Sequence, residues 1–145
     1  MAAIHSQLSA DCIVLGRFSL CHLLLMNDSS YPWFILVPDR EDIREIYHLD
    51  TTDRKQLLDE SCQLSEFIMS AFEGEKLNVA ALGNQVPQLH LHHIVRYTTD
   101  PAWPTPVWGR FPARPYNDQV LGEIRSKFNS AGLDGYQPVV ESYLA

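Results

Sequence analysis

The sequence predicts an α+β domain built on a mainly antiparallel five-stranded sheet with one long helix, followed by an irregular and helical C-terminal extension. The order of elements carries this reading: three β-rich apolar runs between Cys12 and Val37, a long stretch of helical period, then two more strand-like runs. A change of composition at Thr99, to prolines interleaved with tryptophans, marks the start of the extension. Residues 1–145 read as a single domain, with a core at about 11–98 and the extension at about 99–145; no internal repeat or low-complexity segment interrupts it.

Residues 6–10 read as a short helical turn. Cys12-Ile13-Val14-Leu15-Gly16 and Leu20-Cys21-His22-Leu23-Leu24-Leu25-Met26 are strands joined by a tight connection through Arg17, Phe18 and Ser19. Asn27-Asp28-Ser29-Ser30 is a turn cluster. Trp33-Phe34-Ile35-Leu36-Val37, bounded by Pro32 and Pro38, is a continuous apolar run, as expected of a strand buried on both faces. Asp50-Thr51-Thr52-Asp53 starts a helix of about 20 residues, whose apolar positions include Leu57, Leu64, Phe67 and Ile68 and whose stop is Gly74. Residues 77–82 form the fourth strand and 89–97 the fifth, with a short loop at 83–87 between them. In the extension, residues 117–128 read as a helix capped by Asn117 or Asp118. Trp103 and Trp108 imply that the proline-rich part packs on the body, either closing a pocket or covering the sheet or a subunit interface.

The net charge of −7 argues against nucleic-acid or anionic-membrane binding, which needs a basic surface, but leaves room for a small anion held by local donors. No apolar run is long enough to span a bilayer, and no basic-then-apolar leader opens the chain. Cys12, Cys21 and Cys62 are odd in number and lack metal-type spacing, so they read as reduced thiols of a cytoplasmic protein.

Chemistry concentrates in Gln88-Leu89-His90-Leu91-His92-His93-Ile94. On a strand, alternate side chains share a face, with neighbours two apart separated by roughly 6.5–7 Å. Gln88, His90 and His92 would then form one row within reach of a single phosphate group or metal ion, while Leu89, Leu91 and His93 point to the other face.

These residues resemble the motif of the histidine triad (HIT) family of nucleotide hydrolases and transferases, His-x-His-x-His followed by two apolar residues. The loop with Gly83, Val86-Pro87, the proline-initiated run from Pro32 and Arg96 after the motif agree with it, so that the resemblance covers roughly residues 12–97. It departs from the family pattern in three places: Gln88 stands at the first histidine, Asn84 at the loop glutamine, and Gln85 at a position often Ser or Thr. The resemblance implies hydrolysis or transfer at the α-phosphorus of a nucleotide, a dinucleoside polyphosphate such as diadenosine tetraphosphate or a nucleoside phosphoramidate, through a nucleotidyl-histidine. It implies His90 as the nucleophile and His92 as a donor to the phosphoryl or bridging oxygen and the candidate leaving-group acid. Gln88, Asn84 and Gln85 would surround the phosphate, and Asn27 would stand where an asparagine contacts the ribose. No metal or other cofactor is then required, and chains of this size are generally homodimers.

Two other classes fit the same residues. One is a nucleotide-binding module in which Gln88 marks lost catalysis. The other is a metal-binding protein using His90 and His92, since His-x-His on a strand is a common ligand pair, with His5, His22 or His48 as third ligand. Arg40, Arg96, Arg110 and Arg114 read mostly as surface ion-pair partners of an acidic protein.

Overall fold

The computed structural model describes residues 2–139. Its elements are α1 (Ser6–Asp11), β1 (Cys12–Arg17), β2 (Cys21–Met26), β3 (Trp33–Pro38), α2 (Thr51–Ala71), β4 (Lys76–Ala80), β5 (Leu91–Arg96), α3 (Asp118–Ser130) and β6 (Gln137–Pro138), with a 3-10 turn at Ile46–His48. The strands form one sheet in the order β4-β5-β3-β2-β1-β6, and every neighbouring pair is antiparallel. The expected α+β class is what folds, with six strands rather than five. The sixth is two residues from the C-terminal extension laid along β1, too short to leave a periodic signal. Gly16 makes room for it, because a Cβ there would collide with the Gln137 carbonyl and the Tyr136 ring.

Strand β3 lies at the centre of the sheet and is buried along its whole length. Phe34 and Leu36 pack toward α2 and α3 with Leu57, Leu64, Ile68, Ile124 and Phe128. Trp33, Ile35 and Val37 point to the opposite face, where Leu8 of α1, Ile94, Ala102 and Val107 cover them. The long helix starts where the sequence places it: Asp50 caps it by accepting from the Asp53 amide at 2.8 Å. It is fastened to the sheet by buried Glu60, whose carboxylate accepts from the Leu20 and Cys21 amides, each at 2.9 Å.

Arg96 is not a surface residue. It is 1% exposed, and its guanidinium grips the Asp100 carboxylate at 2.8 and 3.0 Å. It also donates to Asn78 Oδ1 at 2.9 Å and to the Thr105 carbonyl at 2.8 Å. The rings of Tyr31 and Trp103 close over it. Asp100 in turn accepts from the Tyr97, Ala102 and Trp103 amides. This knot pins the proline-rich segment to the end of β5, and so fixes where Trp108 comes to rest.

Candidate active site

The site lies on the α1 side of the sheet, at the start of β5. His90 stands just before the strand and His92 within it. Their rings share a face, with centroids 5.0 Å apart at 68°. Both are nearly buried, at 7% and 5% exposed. They form the floor of a cleft of about 380 Å³. One wall is the loop at residues 82–86, and the other is α1, through Gln7, Leu8 and Asp11. Trp108 closes one end, its ring edge-on to His92 at 5.1 Å. Gly83 turns the loop with φ of 76°, the left-handed region that glycine enters at no steric cost.

Hydrogen bonds fix the two imidazoles in opposite tautomers. His90 Nδ1 lies 2.7 Å from the carbonyl oxygen of Gln88, which only accepts. The proton of the neutral ring is therefore on Nδ1, and Nε2 keeps a free lone pair. His92 Nδ1 lies 2.9 Å from the indole nitrogen of Trp33, which only donates. Its lone pair is therefore on Nδ1, and Nε2 carries the proton. Burial pushes the His92 pKa down to about 3, helped by the neighbouring His90 and His93. His92 is thus a neutral N–H donor at ordinary pH, which fits a hydrogen bond to a phosphoryl oxygen.

His93 points to the opposite face, as alternation predicts. It is fully buried, with Nδ1 at 3.1 Å from the Leu91 carbonyl and Nε2 at 2.7 Å from Ser61 Oγ on α2. Burial pushes its pKa down to about 4.

The other expected site residues divide. Asn84 and Gln85 line the cleft on its exposed loop. Asn27 lies in an adjoining hollow of about 420 Å³ that shares Asp11, Met26, Trp108 and Gly109 with the cleft. Its Oδ1 accepts from the Tyr116 amide at 2.9 Å. Gln88 leaves the row. Strand β5 begins at Leu91, and the backbone bends at Gln88, so strict alternation does not reach that far back. Its amide turns to the N-terminal segment, with Oε1 accepting from the His5 amide at 2.8 Å and Nε2 donating to the Ala3 carbonyl at 3.0 Å. Donation from this side chain to a phosphate beside His90 is therefore not the arrangement found.

The sequence reading missed the roles of Trp33 and Asp11 at the site; it found the helical turn at residues 6–10 but not that this turn, α1, walls the cleft. Trp33 carried a usable signal, since a buried indole N–H seeks an acceptor. Among the described residues, no three His, Cys, Asp or Glu side chains converge as a metal ion needs. His5 Nδ1 instead caps α1 by accepting from the Gln7 amide, His48 Nδ1 accepts from the Arg44 and Glu45 amides, and His22 faces Asp39. The described cleft lining contains neither lysine nor arginine, and Asp11 is its one carboxylate.

The HIT domain family matches this chain over residues 7–99. A histidine triad protein from Marinobacter aquaeolei VT8 is 54% identical, with a TM-score of 0.86 over 88% of this chain and 93% of that one. A histidine triad protein from Bradyrhizobium japonicum is 40% identical, with a TM-score of 0.86 over 88% of this chain and 95% of that one. Another, from Sinorhizobium meliloti 1021, is 38% identical, with a TM-score of 0.86 over 88% of this chain and 94% of that one. No curated protein matches the chain.

Proposed function

Because the chain belongs to the histidine triad family, we propose that it is a nucleotide hydrolase or nucleotidyltransferase acting at the α-phosphorus through a nucleotidyl-His90 intermediate. The observation that carries this reading is the pair of opposite tautomers on one cleft floor: a free lone pair on His90 Nε2 beside an N–H on His92 Nε2. His90 Nε2 attacks phosphorus, a P–N bond forms, and the bond to the leaving group breaks. The ring becomes positive, and its Nδ1–H stays on the Gln88 carbonyl, whose dipole favours that charge. His92 and donors of the 83–86 loop hold the phosphoryl oxygens. Water then attacks phosphorus, the P–N bond breaks, His90 returns neutral, and the water's lost proton balances the one the leaving group takes up from solvent.

A cleft with one carboxylate and no cationic side chain suits a leaving group of low negative charge, such as an amine, better than a polyphosphate chain. The nucleoside phosphoramidate is therefore the favoured substrate and the dinucleoside polyphosphate the alternative. Asn84 and Gln85 contact the phosphate, and Asn27, in the adjoining hollow, faces the nucleoside. The protein acts without a metal cofactor, in the cytoplasm and as a homodimer, the assembly that the family resemblance supports.

Turnover of AMP phosphoramidate, diadenosine tetraphosphate and a nucleotide sugar tests the reading. The wild type should turn over the phosphoramidate with the highest kcat/KM, and a chelator should leave the rate unchanged. Tight nucleotide binding without turnover would make the protein a binding module instead. Loss of activity with EDTA and recovery with zinc would favour a metal site at His90 and His92.

A further inference from the structure

We infer that Gln88 is a positioning residue that latches the N-terminal segment in place, and so holds α1 as the wall of the cleft facing the 82–86 loop. This inference rests on the proposed function for its kinetic consequence, but not for its structural one.

The carbonyl of Ala3 and the amide N–H of His5 flank Ile4 and both meet the side-chain amide of Gln88, at 3.0 and 2.8 Å. A carboxamide presents a donor and an acceptor side by side on one planar group, which suits such a pair. An imidazole carries its two nitrogens on diverging edges and could serve only one of the two. The residue that departs from the triad pattern is thus the one whose chemistry fits a backbone latch. A second tie lies at Ala2, whose amide donates to Asp39 Oδ1 at 2.7 Å. Immediately after the latch, His5 caps α1 through Nδ1, and Leu8 is buried against the sheet. Gln7, Leu8 and Asp11 then face the cleft. Gln88 itself does not line that cleft; it lines a separate hollow with Ala2, Ala3, His5, Arg40 and Arg44. Gln88 therefore bears on the cleft through the N-terminal segment rather than by lining it.

The test compares Gln88→Ala, His5→Pro and the double variant by amide hydrogen exchange and steady-state kinetics. His5 has φ of −53°, close to the angle proline imposes, so His5→Pro removes the N–H of the latch with little backbone strain. His5→Ala keeps that N–H, loses the helix cap and serves as the control for it. Gln88→Ala should speed exchange of the His5 and α1 amides by on the order of tenfold, leaving β3 and β5 protected. It should raise KM by about three- to tenfold, with kcat changed less than about threefold. In the Gln88→Ala background, His5→Pro should add no more than the cap loss that His5→Ala reports, because the N–H it removes has already lost its acceptor. Unchanged exchange at residues 5–11, an effect of His5→Pro in the Gln88→Ala background larger than the cap loss seen in His5→Ala, or a fall in kcat at constant KM would overturn the latch; the last would put Gln88 on the reacting phosphate. Exchange needs no substrate, so absence of turnover would defeat the proposed function and leave the latch to be decided on exchange alone.

Discussion

Trp33 donates its indole N–H to Nδ1 of His92 across 2.9 Å, from the strand beside the one that carries the histidine. That bond decides which nitrogen of His92 faces the cleft with a proton on it. The partner of a functional imidazole sets its tautomer and its angle, and around metal-bound histidines such partners are worth about 10–100-fold when removed. Trp33→Phe should keep the fold and lower kcat/KM by about that factor. The same substitution in a His92→Ala background should change almost nothing, since the residue it orients is gone. Steady-state kinetics on the four proteins of this cycle checks both statements; an equal loss in the two backgrounds would show that Trp33 acts by packing alone.

Acid should weaken the fold through His93. Its pKa is depressed from the ordinary 6.5 to about 4, with burial as the main cause. Between those values the unfolded chain binds the proton and the folded chain does not, so stability is complete above about pH 6.5 and falls toward pH 4. The contribution is on the order of 3 kcal/mol. Urea unfolding from about pH 7.5 to 4.5 should show this slope added to that of His92, whose pKa is held down to about 3, mainly by burial. His93→Leu leaves Ser61 without its acceptor and should be less stable at neutral pH, yet should lose less on acidification. An identical slope in the two proteins would assign the acid sensitivity to other groups.

How far the sequence carried this picture depends on how local each contact is. The three strands before α2, its Asp50 cap and the His90–His92 pair follow from short-range periodicity and capping. What stayed hidden is joined across long stretches of chain. Gln88 reaches His5 over 83 positions, and Trp33 reaches His92 over 59. The strand rule placed Gln88 in the row because it assumed extended backbone back to residue 88, whereas the bend there begins the latch. Arg96 read as a surface charge because composition cannot show that Asp100, Asn78 and the rings of Tyr31 and Trp103 enclose it.

That enclosure makes Asp100 a sensitive position. Asp100→Asn leaves the buried Arg96 charge without its carboxylate, and breaking a buried pair costs about 3–5 kcal/mol. The urea midpoint should fall accordingly, and the intrinsic fluorescence of the Trp103–Trp108 segment should change as it loosens. A loss under about 1 kcal/mol would mean that Asn78 and the Thr105 carbonyl suffice to hold the guanidinium.

Asp11 should act on substrate choice. Its carboxylate is held by Gln7 Nε2 at 2.9 Å and lines both the cleft and the adjoining hollow. Asp11→Asn removes the one carboxylate from the described cleft lining. The kcat/KM for diadenosine tetraphosphate should rise relative to that for AMP phosphoramidate by about three- to tenfold, most clearly at low salt. An unchanged ratio would show that charge in the cleft does not set the preference.

The proposed reaction stands on a bond between His90 Nε2 and phosphorus. The most direct test is to quench the reaction of wild type and His90→Ala with AMP phosphoramidate in the first turnovers and map the nucleotidyl group by mass spectrometry. The wild type should carry an adduct on His90 and the variant none, with turnover in the variant lower by on the order of a thousandfold or more. Retained turnover in His90→Ala, or an adduct on another residue, would contradict it.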